Sequence, residues 1–420
     1  MSDTKWKNEA KGFSEHVHLG NFSLDENRNY CDDHRNRKFF VDPGLWPKFD
    51  LLPGHSEYVD RNRGDDDDGV DVKSLDVLLR WMRDHQDDLQ RRKILEIQAD
   101  GSKRLALDFV TRRGALHDLF KSAHLNDRTE YLVTFFKGTY YLEQLELPGR
   151  HDNPNDPDGT QVYSGKKFAQ YCTSGECARL VAYPAEDRAG ENGAKPDTTQ
   201  PINDNLSYEA VMAARCGDFK LMFAVEVHAE SKDNREIPST YRGLHHLNYV
   251  NIRTTRDFNA LTELQQSKAF FRKKLFQFWS QNHIAGIPRV ILGWRDDERH
   301  VITRAETYKT EDIPSFPLCS WKPGKYYAAI QTLLTEITRL VTNDDDPGYV
   351  NNFVCLTVCL VYDLSICFVV HHLVLERVES APYPELAAKL CNRTFKIKRH
   401  ADGHHRIVTD WFIKDVLNIK

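Results

Sequence analysis

The segment Phe219–His228 constrains the fold more than any other stretch of this chain. Leu221, Phe223, Val225 and Val227 recur at every second position, and Lys220, Met222, Ala224, Glu226 and His228 take the alternate ones. Side chains on a strand point to opposite faces in turn. The pattern therefore predicts a strand with one apolar face, from whose end Glu226 and His228 project together. Tyr249–Arg253 repeats the logic, with Val250 and Ile252 facing a core and Asn251 and Arg253 on the other side. If the two strands are sheet neighbours, Glu226, His228, Asn251 and Arg253 form one polar patch. The plain alternative is a solvated sheet face.

Helical patterns interleave with these strands. Leu75, Leu78, Leu79 and Met82 follow Ser74 at helical spacing, and a second helix starts near Thr111 with Leu116, Leu119 and Phe120. A third covers Tyr163 to about Cys172, and a long one spans about Arg256–Gln281. Arg289–Trp294 reads as another strand. Strands and helices alternate without an internal repeat, which predicts a mixed α/β class. The polar stretches between them are short enough for surface loops within one domain. Phe353–Val374 is apolar enough to suggest a membrane span, yet Asp363 interrupts it and His371-His372 close it. A charge at the bilayer centre is costly, so the expectation is a core helix turning into a core strand, with no membrane partner.

Composition narrows the function. At 40% hydrophobic and 11% aromatic residues, the 420-residue chain is not a disordered one. Asp+Glu at 62 against Lys+Arg at 57 excludes a large, uniformly basic nucleic-acid footprint, though not a local basic groove. The start MSDTKWKNEAKGFSEH has no apolar signal segment, and the nine cysteines show no disulfide or zinc spacing. The expected compartment is nucleus or cytoplasm, not secreted, with the sequons at Asn21, Asn205 and Asn392 unused. The acidic runs Asp65–Asp68 and Asp344–Asp346 read as solvated charge. So does His404-His405, and Lys273 and Lys274 read as a surface face. Glu226 and His228 with His245 or His246 make a conceivable zinc set whose third ligand stays open.

Five short motifs then line up in order: VTRRGALHDLF with Arg113, SGKKFAQYC from Gly165 to Cys172, AVEVH from Ala224 to His228, YVNIRT from Tyr249 to Thr254, and KKLFQFWSQNHIAGIP with Gln281. In this order the chain, from about residue 20 to 375, resembles the DXO decapping and 5′-end RNA exonuclease family. The resemblance implies two packed β-sheets flanked by helices with a central cleft, similar to the PD-(D/E)xK nuclease core. It implies a single domain over residues 20–381, with an N-terminal extension at 1–19 and a C-terminal extension at 382–420 open to a partner.

The family hydrolyses RNA with magnesium ions held by a helix Glu, a strand Glu and Asp, and a second strand Glu, with a Lys nearby. Two such ions need hard oxygen ligands. At the matching positions this chain has Ala169, Glu226, His228, Asn251 and Arg253. Glu226 alone keeps its carboxylate and is the sole candidate metal ligand there. The resemblance also implies that Arg28, Arg112, Arg113, Gly114 and Gln281, joined by Arg253, handle an RNA 5′ phosphate. The expected protein is a catalytically degenerate member that binds RNA 5′ ends or serves as an adaptor in RNA processing. Its protein partner would be a 5′→3′ exoribonuclease or an RNA-processing complex. No cofactor is expected; magnesium or manganese enters only with residual activity. The alternatives are an altered decapping enzyme, pyrophosphohydrolase or exoribonuclease with a reduced metal site, and a protein-interaction module with a vestigial cleft.

Overall fold

The computed structural model describes residues 12–42, 49–60, 71–125, 129–146, 156, 158–175, 196–231, 248–257, 262, 265, 267–341, 354–361, 365–372 and 408–419. From the N-terminal side come β1 (Phe13–Leu24), β2 (Tyr30–Cys31), β3 (Phe39–Phe40), β4 (Asp71–Lys73), α1 (Asp76–Asp84), α2 (Gln86–Arg91), β5 (Leu95–Ile97), β6 (Lys103–Leu105) and β7 (Phe109–Arg112). The middle supplies α3 (Arg113–Leu125), β8 (Thr129–Phe136), β9 (Thr139–Glu146), α4 (Thr160–Tyr171), β10 (Thr173–Ser174), β11 (Ser207–Cys216), β12 (Phe219–Glu226), β13 (Ala229–Ser231) and β14 (Asn248–Arg256). A π-helical segment at Ser267–Lys274 leads into α5 (Leu275–Ala285). Then follow β15 (Arg289–Asp296), β16 (Val301–Lys309), α6 (Pro323–Leu340), β17 (Val354–Val361), β18 (Ser365–His372) and α7 (Asp410–Asp415).

Among these residues the strands form two large mixed sheets. The larger runs β18-β17-β8-β9-β7-β12-β11-β1-β2, with β4 beside β9, and the smaller runs β10-β3-β13-β14-β15-β16. Within them β7 lies parallel to β12 and to β9, and β14 lies parallel to β15. This is the mixed α/β class that the alternating patterns predict.

Alternation along each strand decides which core its side chains enter. Leu221, Phe223 and Val225 of β12 join Val290 and Leu292 of β15 in a central cluster, together with Leu116 and Phe120 of α3, Trp279 of α5 and Ile330 of α6. The other face of β12, with Met222 and Ala224, packs with Leu78 and Trp81 of α1 and Phe412 of α7. A third cluster sets Phe168 and Cys172 against Val250, Ile252 and Ile291 of the smaller sheet.

The β11–β12 hairpin is set by its turn. Cys216 faces Phe219 across the two residues Gly217 and Asp218, and Gly217 has φ +60°. Short hairpin turns of this kind need positive φ, which glycine supplies at little cost. A Cβ there would also meet Gln331 Cδ at 2.7 Å. Counting back along this register brings Glu209 opposite Glu226.

Several expectations are corrected. Val354–Val361 is a strand and not the expected helix, and Ser365–His372 is the strand expected after it: β17 and β18 pair antiparallel, from Val354 opposite His372 to Val361 opposite Ser365. Their Val, Ile, Thr, Cys and Phe residues favour a pleated strand as readily as an apolar helix. Arg256 ends a strand, and the helix foreseen from it begins near Ser267 and reaches Ala285; Phe258 and Leu261 lie outside the described residues. Thr111 and Arg112 close β7, so α3 starts at Arg113. Val408, Phe412, Val416 and Leu417 are buried, so this part of the foreseen C-terminal extension packs with the domain. No helix among the described residues is long and apolar enough to cross a membrane.

Candidate functional site

The two site-bearing strands are not neighbours. β12 belongs to the larger sheet and β14 to the smaller, and the chain crosses between them at Val227 and His228 to enter β13. Periodicity gives which residues share a face but not which sheet a strand joins, so the condition of neighbouring strands is not met. Both faces of β14 are covered, so the solvated-face alternative fails; Asn251 is only 5% exposed.

The crossover still brings the polar groups together. β13 pairs with Asn248, Tyr249 and Val250 of β14 and ends there. Beyond that end, the backbone N–H of Ile252 donates to His228 Nδ1 at 3.1 Å. Burial holds the His228 pKa well below its usual value, and Arg253 repels the protonated form further. With Nδ1 accepting, the neutral ring carries its proton on Nε2.

On β14, Asn251 Nδ2 donates to Asn282 Oδ1 at 2.7 Å, and Asn282 Nδ2 donates to Thr310 Oγ1 at 3.0 Å. Thr310 Oγ1 in turn donates to the Ile287 carbonyl at 2.8 Å. This chain fixes the amide orientation of Asn251 and leaves its Oδ1 buried with no hydrogen-bond partner among the described residues. Arg253 Nη2 donates to Gln281 Oε1 at 2.9 Å, joining β14 to α5.

Glu226 ends β12. Lys166 of α4 lies beside it, with Nζ 3.8 Å from Glu226 Oε1, and also pairs with the carboxylate of Asp204. Lys38 stands by the same group. Loss of hydration around its ammonium lowers its pKa and Lys166 repels it, while Glu226 and Asp204 attract it, although the residue as a whole is exposed. Ala169, one turn along α4 from Lys166, packs against the apolar cluster of Val250 and Ile252.

Across the hairpin, Glu209 is 1% exposed; its Oε1 accepts from Arg112 Nη2 at 3.2 Å, and among the described residues its buried Oε2 has no hydrogen-bond partner. Arg113, at the start of α3, has a buried Nε likewise unpartnered. Burial works against its charge, which Glu226, Glu209 and Asp118 favour. Gly114 follows, where a Cβ would meet only Gln144 Oε1 at 3.7 Å. Arg28, at φ +61°, donates through Nη1 to the Asn205 carbonyl at 3.3 Å, bracing the segment that carries Asp204.

The fold thus gathers Glu226, His228, Arg113, Arg253 and Gln281, turns Asn251 toward α5, and uses Arg112 to hold Glu209. Sequence reasoning missed Glu209, Asp204, Lys166 and Lys38. The register of the Gly217-Asp218 turn was the available signal for Glu209. His245, His246, His404 and the acidic runs at 65–68 and 344–346 lie outside the described residues. Among the described residues, no cluster of three or more His, Cys, Asp or Glu side chains could hold a metal, so the zinc set finds no support there.

Two curled mixed sheets meeting at a charged crossover define a scaffold of the PD-(D/E)xK nuclease type. The chain belongs to the RAI1-like PD-(D/E)XK nuclease family, whose model matches residues 15–413. It is 27% identical over 342 residues to the decapping and exoribonuclease protein of Xenopus laevis, covering 78% of this chain and 76% of that protein. The human protein of the same name is 29% identical over 336 residues, covering 78% and 75%. Candida albicans Rai1, solved in complex with pU5 and Mn2+, superposes with a TM-score of 0.63 at 16% identity, covering 98% of each chain. Scheffersomyces stipitis Rai1, solved with (3′-NADP)+ and calcium, gives 0.63 at 17% identity over the same coverage.

Proposed function

We propose that this family member binds the phosphorylated 5′ end of RNA through protein cations and does not carry out two-metal hydrolysis. The observation that carries the reading is the placement of Lys166 within 3.8 Å of Glu226, the one carboxylate kept at the matched positions. A pair of magnesium ions needs several oxygen donors in near-octahedral shells. Ala169 offers none, and His228 spends Nδ1 on the Ile252 N–H. Asn251 brings an amide oxygen that carries no negative charge to offset a second dication. Lys38, Lys166, Arg113 and Arg253 add positive charge where dications would sit. The residues present therefore do not fit the paired metal ions.

The same residues suit an anion. Arg113 supplies a fixed guanidinium whose Nε has no acceptor among the described residues, the condition in which a phosphate oxygen is worth most. Arg253 is held in place by Gln281. Arg112 and Arg28 support this arrangement through Glu209 and Asn205. The domain would present the cleft to RNA in nucleus or cytoplasm, alone or as an adaptor on a 5′→3′ exoribonuclease or RNA-processing complex.

The test is incubation of the purified protein with 5′-triphosphate, unmethylated-cap and NAD-capped RNA in magnesium or manganese. No hydrolysis is expected. Turnover that disappears in Glu226→Gln would instead support an altered enzyme, to which Glu209 and Asp204 could lend carboxylates.

A further inference from the structure

We propose that Lys166 is an internal counter-ion that occupies the cation position beside Glu226 and sets the response of the cleft to divalent metal. This rests on the metal-free reading above and names the residue responsible for it. Glu226 and Asp204 come from well-separated parts of the chain, and Lys166 reaches both. Each acid sits on fixed backbone. Glu226 closes β12, and the N–H of Asp204 donates to the Val59 carbonyl at 2.9 Å in a segment also braced by Arg28. Asp204 is 5% exposed, so its charge needs a partner.

Two carboxylates on fixed backbone are bridged by the three N–H donors of one flexible ammonium. A dication could take the place only by displacing Lys166 and accepting Lys38, Arg113 and Arg253 as like-charged neighbours. Removing the Lys166 charge while keeping its stem should therefore open the pair of acids to one divalent ion.

The experiment is titration of Mn2+ into wild type, Lys166→Met and Lys166→Arg, following free Mn2+ by electron paramagnetic resonance. Circular dichroism confirms that each variant is folded, and Lys166→Gln replaces Lys166→Met if the latter is not. The expected result is negligible uptake by wild type and Lys166→Arg, and at least tenfold tighter uptake of one ion by the neutral variant. Equal, negligible uptake by all folded variants would overturn the role of Lys166 while leaving the metal-free reading intact. Tight uptake of two ions by wild type would overturn that reading, and this inference with it.

Discussion

The backbone N–H of Ile252 is capped by the imidazole of His228, 3.1 Å away, at the point where β13 stops pairing with β14. A side chain from the crossover thereby takes over from a missing ladder partner. His228 is thus a structural acceptor.

His228→Ala should leave the Ile252 donor without a partner in a half-buried site. The expected cost is about 1–3 kcal/mol, read from the urea midpoint. His228→Asp keeps an acceptor and should cost less than His228→Ala. Equal stability of wild type and His228→Ala would show that the contact contributes nothing.

Stability should fall with acid through His283. Burial, with repulsion from His16, lowers its pKa to about 3, and its ring stacks on Trp279 at 5.2 Å between centroids. An unfolded histidine takes its proton near pH 6.5. Between those values the unfolded chain binds more protons, so stability is full above about pH 6.5 and declines as pH drops. One such group accounts for about 2 kcal/mol between pH 6.5 and 5. Urea unfolding at both pH values should show this decline, and His283→Gln should show less of it; an unchanged slope in the variant would exclude His283 as its source.

Binding should depend on Arg113. Loss of a charge-assisted contact to phosphate is worth about 1.5–3 kcal/mol, so Arg113→Ala should weaken a 5′-phosphorylated oligoribonucleotide by roughly tenfold or more. The same RNA with a 5′ hydroxyl should be less affected. Affinity should also fall steeply with salt. Fluorescence anisotropy on the folded variant checks all three, and an Arg113→Ala protein that binds both RNAs as wild type does would remove Arg113 from the site.

Restoring the acids should not be free. Asn251→Glu places a charge where Asn251 is 5% exposed and breaks its bond to Asn282. Alone it should destabilise by about 3 kcal/mol or more. Combined with Ala169→Glu, His228→Asp and Arg253→Lys, some manganese-dependent cleavage should return, and more of it when Lys166 is also made neutral. Cleavage by the fourfold variant that is indifferent to Lys166 would separate that residue from metal exclusion.

The parts of the fold that sequence made legible are those governed by local period. The two faces of Phe219–Val225, the start of α4 near Tyr163 and the run of α5 through Leu275 and Phe278 follow from spacing alone. What spacing does not carry is partnership. β12 and β14 have the same alternation, yet join different sheets, because strand pairing is decided by long-range packing. The helix expected in the first half of Phe353–Val374 fails for a related reason, while the strand expected after it stands: an apolar run suits a helix or a hairpin, and neighbouring β8 settles the matter by pairing with β17. At the site, Ala169, His228, Asn251 and Arg253 are each identified from the resemblance alone. The ammonium of Lys166 is not, since a lysine pair on a helix reads as a solvated face until Asp204 and Glu226 are brought up to it.

The central claim is that protein cations, not metal ions, hold the RNA 5′ end. It is tested most directly by titrating a 5′-phosphorylated oligoribonucleotide against the wild-type protein in EDTA and again in Mn2+, with the RNA analysed for cleavage afterwards. The expected outcome is the same affinity within about twofold, a margin of roughly 0.4 kcal/mol, and intact RNA in both. Binding that requires Mn2+ and ends in shortened RNA would contradict it.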